Sequence, residues 1–401
     1  MIKHSCPTIG QAEVQALSSV LKSKHLAQGN VVRKFEDSVV KYLGGRNISA
    51  IPPKRDGGKA VAVNSGSSAL HLALLSLGVS KGAEVIIPSY VCSAVLNAVN
   101  YTGAKPVLAD INENDFNLSV ESVKKKITKR TRAIIVAHLF GFPAGINKFL
   151  SLGIPIIEDC AQSIGAVYHN KSATADLPKA RPVGTFGKIS VFSFYATKML
   201  ATGYGGMVIS QDSKLADKIR DLIDYDNRND YITRYNYQMS DLCAALGLSQ
   251  LSQLDRFIQR RREIASHYTR YLSSLNLATL ILPLEQPDTT SVFYRYVIRH
   301  PKADKIILCL NRAGIEAKKP VYKPLHRYFG LTPLERPVMN SSGRISLSPL
   351  SLNFLTGLNP KDFPNAEQAQ RSAISLPIYP ALTDKDRNYI TDNLVKILKS
   401  I

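Results

Sequence analysis

Lys198 closes the run Ser193-Phe194-Tyr195-Ala196-Thr197-Lys198 and stands just ahead of Gly203, Gly205 and Gly206. A primary amine in apolar surroundings is held toward its neutral, nucleophilic form, as Schiff-base chemistry requires. A solvated surface lysine is the other reading of that residue. Asp159 ends the apolar run Pro155-Ile156-Ile157-Glu158. A carboxylate at a buried strand end is costly unless it meets a cation. It therefore reads as the counter-ion of a protonated ring nitrogen or as the N-cap of the next segment. Gly66-Ser67-Ser68 opens a helical pattern, where free N–H groups, a positive dipole end and hydroxyls converge on an anion. Taken alone, an ordinary serine cap explains those three residues as well. No Gly-Lys-Ser/Thr follows at Walker spacing, and no dinucleotide fingerprint opens the first strand–helix turn.

These residues need elements to position them. Short β-rich runs are predicted at Val61–Val63, Glu84–Pro88, Pro106–Ala109, Ala133–Ala137, Pro155–Glu158, Ile189–Phe194 and Met207–Ser210. Several are almost wholly apolar, as in strands covered on both faces, and helical patterns such as Ser68–Leu77 separate them. This alternation predicts an α/β fold with a mainly parallel sheet. The polar residues of interest fall just past the carboxyl ends of five of the runs: Asn64 to Ser68, Ser89-Tyr90, His138, Asp159, and Ser193 to Lys198. That edge is where open α/β sheets bind ligands. Beyond the helical stretch Asp241–Tyr271 the pattern turns to polar loops, prolines and a last helix, Asp384–Ser400. A smaller C-terminal α+β domain is expected there, and Ile51–Gly58 reads as a surface loop.

The 401 residues carry 51 Lys+Arg against 31 Asp+Glu, a formal charge of +20, with 45% hydrophobic residues. That balance excludes a disordered chain and needs no disulfide or structural metal. Cys6, Cys92, Cys160, Cys243 and Cys309 fit neither a disulfide framework nor a zinc ribbon, so no metal is expected. No run is long enough to span a bilayer and the N-terminus lacks an apolar signal core, so a cytoplasmic protein without a membrane partner is expected. The basic runs Lys124-Lys125-Lys126 and Arg260-Arg261-Arg262 lie in helical patterns and read as solvated faces. With no nucleic-acid signature beside them, no specific nucleic-acid partner is expected, and the charge suits anionic small substrates.

The strings VNSGSSALHLAL, IEDCAQSIGA, FSFYATKMLATGYGGMV and RYNYQMSDLCAALG resemble the successive signatures of the DegT/StrS-type sugar aminotransferases, pyridoxal-phosphate (PLP) enzymes of fold type I. HSCPTIGQAEVQAL, LAQGNVVRKFE and ISLPIYPALTDKD are similar too, so the resemblance runs from about His4 to the last helix. It implies an N-terminal arm over 1–30, a PLP-binding large domain over 31–255 and a small domain over 256–401.

The resemblance also implies roles. Lys198 would carry PLP as a Schiff base and shuttle the proton, and Asp159 would keep the pyridine nitrogen protonated. Gln162 would face the ring oxygen. Gly66, Ser67, Ser68 and Ser193 would bind the phosphate, and Asn236 would reach the phosphate of a neighbouring subunit in a homodimer. His326 resembles a histidine lining the substrate cleft. Three positions depart from the common pattern: Cys92 stands where an aromatic residue often stacks on the ring, Tyr204 replaces an acidic residue, and Gln238 replaces an arginine. The activity implied is amino transfer, from glutamate, to a ketone of a nucleotide-linked deoxysugar. A PLP-dependent sugar dehydratase would carry histidine in place of Lys198, and a non-catalytic PLP-binding protein would not need Lys198, Asp159 and Ser193 together.

Overall fold

The seven predicted strands join a single sheet in the computed structural model, which describes residues 1–44, 60–169, 180–226, 228–328, 335–339, 345–349 and 358–401. The strands are β1 (Ala60–Val63), β2 (Glu84–Pro88), β3 (Lys105–Ala109), β4 (Thr131–Ala137), β5 (Ile156–Asp159), β6 (Ile189–Ser193) and β7 (Gly206–Ser210). Their order across the sheet is β1-β7-β6-β5-β4-β2-β3. β2, β3, β4, β5 and β6 run parallel, and β7 runs antiparallel to both of its neighbours. The predicted loop Ile51–Gly58 lies outside the described residues.

The pleat sends alternate residues to opposite faces, and each face has its own core. Val61, Val85, Ile135, Ile157, Val191 and Val208 pack with the helices Gly66–Ser76, Ser93–Tyr101 and Ser213–Ile223. Ala62, Ile86, Ile134, Val136, Phe192 and Met207 pack on the other side with the helices Asn30–Gly44 and Asp241–Ser252. A third core gathers residues from Ile264 to Leu398, around the antiparallel pair Tyr296–Arg299 and Ala373–Leu376 and the helix Asp384–Ser400.

Three expectations are corrected. The stretch Asp241–Tyr271 is two helices, Asp241–Ser252 and Leu254–Ser273, meeting at Gln253. The helix under the lysine run stops at Lys124 and continues only as a turn, in which Lys126 N–H bonds the Val123 carbonyl. Arg261 is not on a solvated face. It lies on the buried stripe of its helix with Phe257, Ile264, Ala265 and Tyr268, and Nη1 donates to the carbonyls of Phe293, Tyr294 and Ile378.

Candidate active site

A cleft of about 260 Å3 opens at the carboxyl ends of the central strands. The helix Gly66–Ser76 starts right after β1, capped by Ser65 Oγ, which accepts the Ser68 N–H at 3.1 Å. The N–H groups of Gly66 and Ser67, first in the helix, have no intrahelical acceptor. Ser193 at the end of β6 closes against them. A Cβ on Gly66 would lie 2.8 Å from Ser193 Cβ, and one on Gly206 would lie 2.4 Å from the Ser65 carbonyl oxygen. Glycine at these two positions permits the close approach that shapes this end of the cleft. Ser68 does not reach the wall. Its hydroxyl donates to Asn64 Oδ1 at 2.7 Å and meets Ser65 Oγ at 2.9 Å, so it belongs to the cap.

Asp159 stands at the other end, buried, with one side-chain hydrogen bond among the described residues, from the Ala161 N–H at 3.0 Å. Burial raises its pKa above the ordinary carboxylate value; the Ala161 bond and the charges of Lys198 and His138 pull the other way. It caps no helix, because turns follow it. Gln162 accepts the Phe140 N–H through Oε1 at 2.8 Å, which leaves its amide NH2 as the donor for a ligand. His138 shares the wall, with Nδ1 accepting the Ala144 N–H and Nε2 paired to Glu158 Oε2 at 3.1 Å. Cys160 lies close to His138 and Glu158. The hydrogen bonds just given engage both histidine nitrogens, so the trio needs no ion.

Lys198 sits, partly buried, on the connection from β6 to β7. The Lys198 N–H bonds the Tyr195 carbonyl, Thr202 N–H bonds Phe194, and Gly203 takes φ +80° to complete the turn. Its Nζ lies 5.1 Å from the ring centre of Tyr294. Tyr204 and Tyr195 meet edge to face at the cleft, 68% and 44% exposed, and Cys92 is exposed at the start of the helix Ser93–Tyr101.

Besides Ser68, two of the predicted residues lie off the cleft. His326 is fully buried, stacked on Phe363 at 4.5 Å, with Nε2 2.8 Å from Glu367 Oε1. Arg327 joins the same carboxylate and, more than His326, brings it down to about 2 against the cost of burial. The expectation of a cleft-lining histidine is corrected on that geometry, since the Leu325 N–H bond to the Ser89 carbonyl turns the segment inward. Asn236 is exposed, and its carbonyl accepts Asn64 Nδ2 at 3.1 Å. Gln238 donates to the Ile223 carbonyl. Tyr294 and Arg295 escaped the sequence reading, although an arginine beside the apolar run Tyr296-Val297-Ile298 is a legible oddity.

The chain matches the DegT/DnrJ/EryC1/StrS aminotransferase family over residues 7–395. It belongs to that family. The GDP-perosamine synthase of Escherichia coli O157:H7 is 31% identical over 97% of this chain and 96% of its own length. The spore coat polysaccharide biosynthesis protein SpsC of Bacillus subtilis (strain 168) is 30% identical over 99% and 97%. Among solved structures, the aminotransferase TlmJ of Streptoalloteichus hindustanus aligns with a TM-score of 0.83 at 28% identity, covering 100% of this chain and 99% of that one. DesV of S. venezuelae aligns at 0.79 and 30% identity over 96% and 93%.

This family member is therefore a sugar aminotransferase-type enzyme that works with PLP. The donor set fits that cofactor. One cleft holds a primary amine, a buried carboxylate with a single hydrogen bond, and a glycine-shaped cradle of hydroxyls and helix N–H groups suited to a phosphate.

Proposed function

We propose that the enzyme moves an amino group from glutamate to the ketone of a nucleotide-linked deoxysugar, in two half-reactions. The observation that carries this reading is the convergence of Lys198, Asp159, Ser193, Gly66 and Ser67 on one cleft. Bound PLP supplies an electron sink for the amine under transfer. Lys198 Nζ would anchor it and move the proton between carbon atoms. Asp159 would hold the proton on the pyridine nitrogen, in a buried position where no water competes for it. Ser193, Ser67 and the first helix N–H groups would bind the phosphate, and the Gln162 amide would donate to the ring oxygen. Cys92 would pack on the pyridine ring, and Tyr204, exposed at the cleft, would meet the substrate.

The relative named GDP-perosamine synthase favours a nucleotide-linked sugar, and the one named dTDP-4-dehydro-2,3,6-trideoxy-D-glucose 4-aminotransferase favours a ketone at carbon 4. The name of the SpsC relative favours a place in polysaccharide biosynthesis, which would be cytoplasmic work. Lysine at 198 favours amino transfer over dehydration. The test is incubation with glutamate and a panel of GDP- and dTDP-linked keto-sugars, with mass spectrometry of the products. A panel with no aminated sugar, from protein that binds PLP, would overturn the reading.

We read the active unit as a homodimer with composite sites and keep the division 1–30, 31–255 and 256–401. Asn236 is exposed and outside its own cleft, which suits service to a partner's phosphate. In a C2 pair, Lys198→Ala and Asn236→Asp would place both lesions in one site and leave the other intact. Mixed dimers should regain activity that neither inactive homodimer has. Mixed dimers that stay inactive would remove the composite site.

A further inference from the structure

Three buried phenylalanines with left-handed backbone lie around one turn beside the cleft wall: Phe140 at φ +59°, Phe116 at +60° and Phe293 at +47°. A side chain makes that conformation costly, and it persists only where neighbours enforce it. Phe140 and Gly141, at φ +59° and +90°, are the central residues of a turn closed by the Phe142 N–H on the Leu139 carbonyl at 3.0 Å. Positive φ at both central positions marks the type I′ form, which favours glycine, asparagine or aspartate over phenylalanine.

The neighbours that enforce it come from distant segments. Asn117, buried, accepts the Leu139 N–H through Oδ1 at 2.8 Å and donates Nδ2 to the Phe142 carbonyl at 3.3 Å. The Gly141 carbonyl accepts from Ser291 Oγ at 3.0 Å and from the Val292 N–H at 3.2 Å, and the Phe140 carbonyl accepts the Arg295 N–H. A Cβ on Gly141 would lie 2.8 Å from the Tyr294 backbone nitrogen and 2.9 Å from Val292 Cγ2, so only glycine fits there.

What these bonds fix is the direction of one peptide group. The Phe140 N–H donates to Oε1 of Gln162, a residue of the cleft wall, at 2.8 Å. An amide has one accepting and one donating end, so with the oxygen taken the NH2 is the end left for a ligand. Reversing the Leu139–Phe140 peptide would relieve Phe140 of its positive φ. It would also present the Leu139 carbonyl to Gln162, and the amide would turn over to meet it.

We propose that the Phe140–Gly141 turn is a positioning element for the reaction, holding Gln162 with its NH2 toward the ring oxygen of PLP. This rests on the reading of Gln162 given above, and the test separates the two. A donor on that oxygen draws off negative charge that would otherwise hold the proton of the Lys198 Schiff base, which then leaves at lower pH. Losing the donor, or turning the amide oxygen to the ring, raises that midpoint.

The midpoint is read, without turnover, from the pH dependence of the cofactor absorption band in the full-length, PLP-loaded protein. Gln162→Leu sets the reference and should raise it by about one pH unit. Gly141→Ala leaves Gln162 in place but forces the turn, and should raise the midpoint by a comparable amount. Asn117→Ala frees the Leu139 N–H and should do the same, which keeps the test open if Gly141→Ala does not fold. Neither change should add to the shift in a Gln162→Leu background, because both act through that amide. A wild-type midpoint in whichever of the two folds, against a raised one in Gln162→Leu, would overturn the proposal alone. Shifts that add in full to that of Gln162→Leu would also overturn it, by making the turn a prop of the whole cleft. A wild-type midpoint in Gln162→Leu itself would overturn the ring-oxygen reading, and the proposal with it.

Discussion

Glu158 and Asp159 are neighbours on β5, are both buried, and point to opposite faces of the sheet. Glu158 accepts from the N–H groups of Gly184, Phe186 and Gly187 and pairs with His138 Nε2. Burial alone would raise its pKa, yet those bonds bring it below the ordinary value. Asp159 has one such bond, and burial prevails, so its pKa goes up. Two carboxylates of similar chemistry thus differ because one is saturated by its own chain and the other, with a single bond, faces the cleft.

The largest effect should come from undoing the saturated member. Glu158→Gln sets an NH2 group among N–H donors and should cost about 3–5 kcal/mol of stability in denaturant unfolding. A variant as stable as wild type would erase the distinction. Asp159→Asn should act the other way: turnover falls about 10²–10³-fold while PLP still binds and the melting temperature does not drop. Near-normal turnover would reduce Asp159 to a turn residue.

His4 sharpens the contrast through pH. Burial, then the charges of Arg295, Lys318 and Arg261, lower its pKa from 6.5 to about 2, so the unfolded chain binds a proton that the folded chain refuses. Stability is intact above 6.5 and is lost as pH falls toward 2, by about 1.4 kcal/mol per pH unit for this one proton. His4→Gln should flatten the acid limb of the stability curve by that slope; an unchanged slope would show that His4 is solvated. The smallest effect is spectroscopic. One phenolate should titrate with a midpoint of about 8 in wild type and vanish in Tyr294→Phe. Because the folded pKa lies below the ordinary 10, this group adds stability as pH rises from about 8 to 10.

Much of this was legible in the chain. Strands covered on both faces are apolar at successive positions, so all seven could be read, with ends off by at most two residues; β4 starts at Thr131 rather than Ala133, and Phe194 lies just past β6. The residues of the cleft were legible as types and places because the carboxyl edge of such a sheet is where side chains meet ligands. The phase of Arg261 was legible too, since it shares the spacing of Phe257, Ile264 and Tyr268, but three arginines in a row hid it. Ser68 and His326 were misplaced for a different reason. Local sequence shows a hydroxyl or an imidazole and does not show which partner claims it first.

The sequence by itself determined the layered α/β architecture, the family, and the presence of an amine, a carboxylate and a cradle of hydroxyls and helix N–H groups at one sheet edge. Those follow from periodicity and from motifs only a few residues long, which act through near neighbours. Tertiary structure decided which polar groups are spent and which are free. Glu158 meets Gly184 and Phe186 from a later segment, His326 meets Glu367 forty-one residues on, and Arg295 lies beside Lys198 across Tyr294. Hydrogen bonds and charges saturate through space, over a few ångströms, between residues far apart in the chain, and only the folded packing sets those distances.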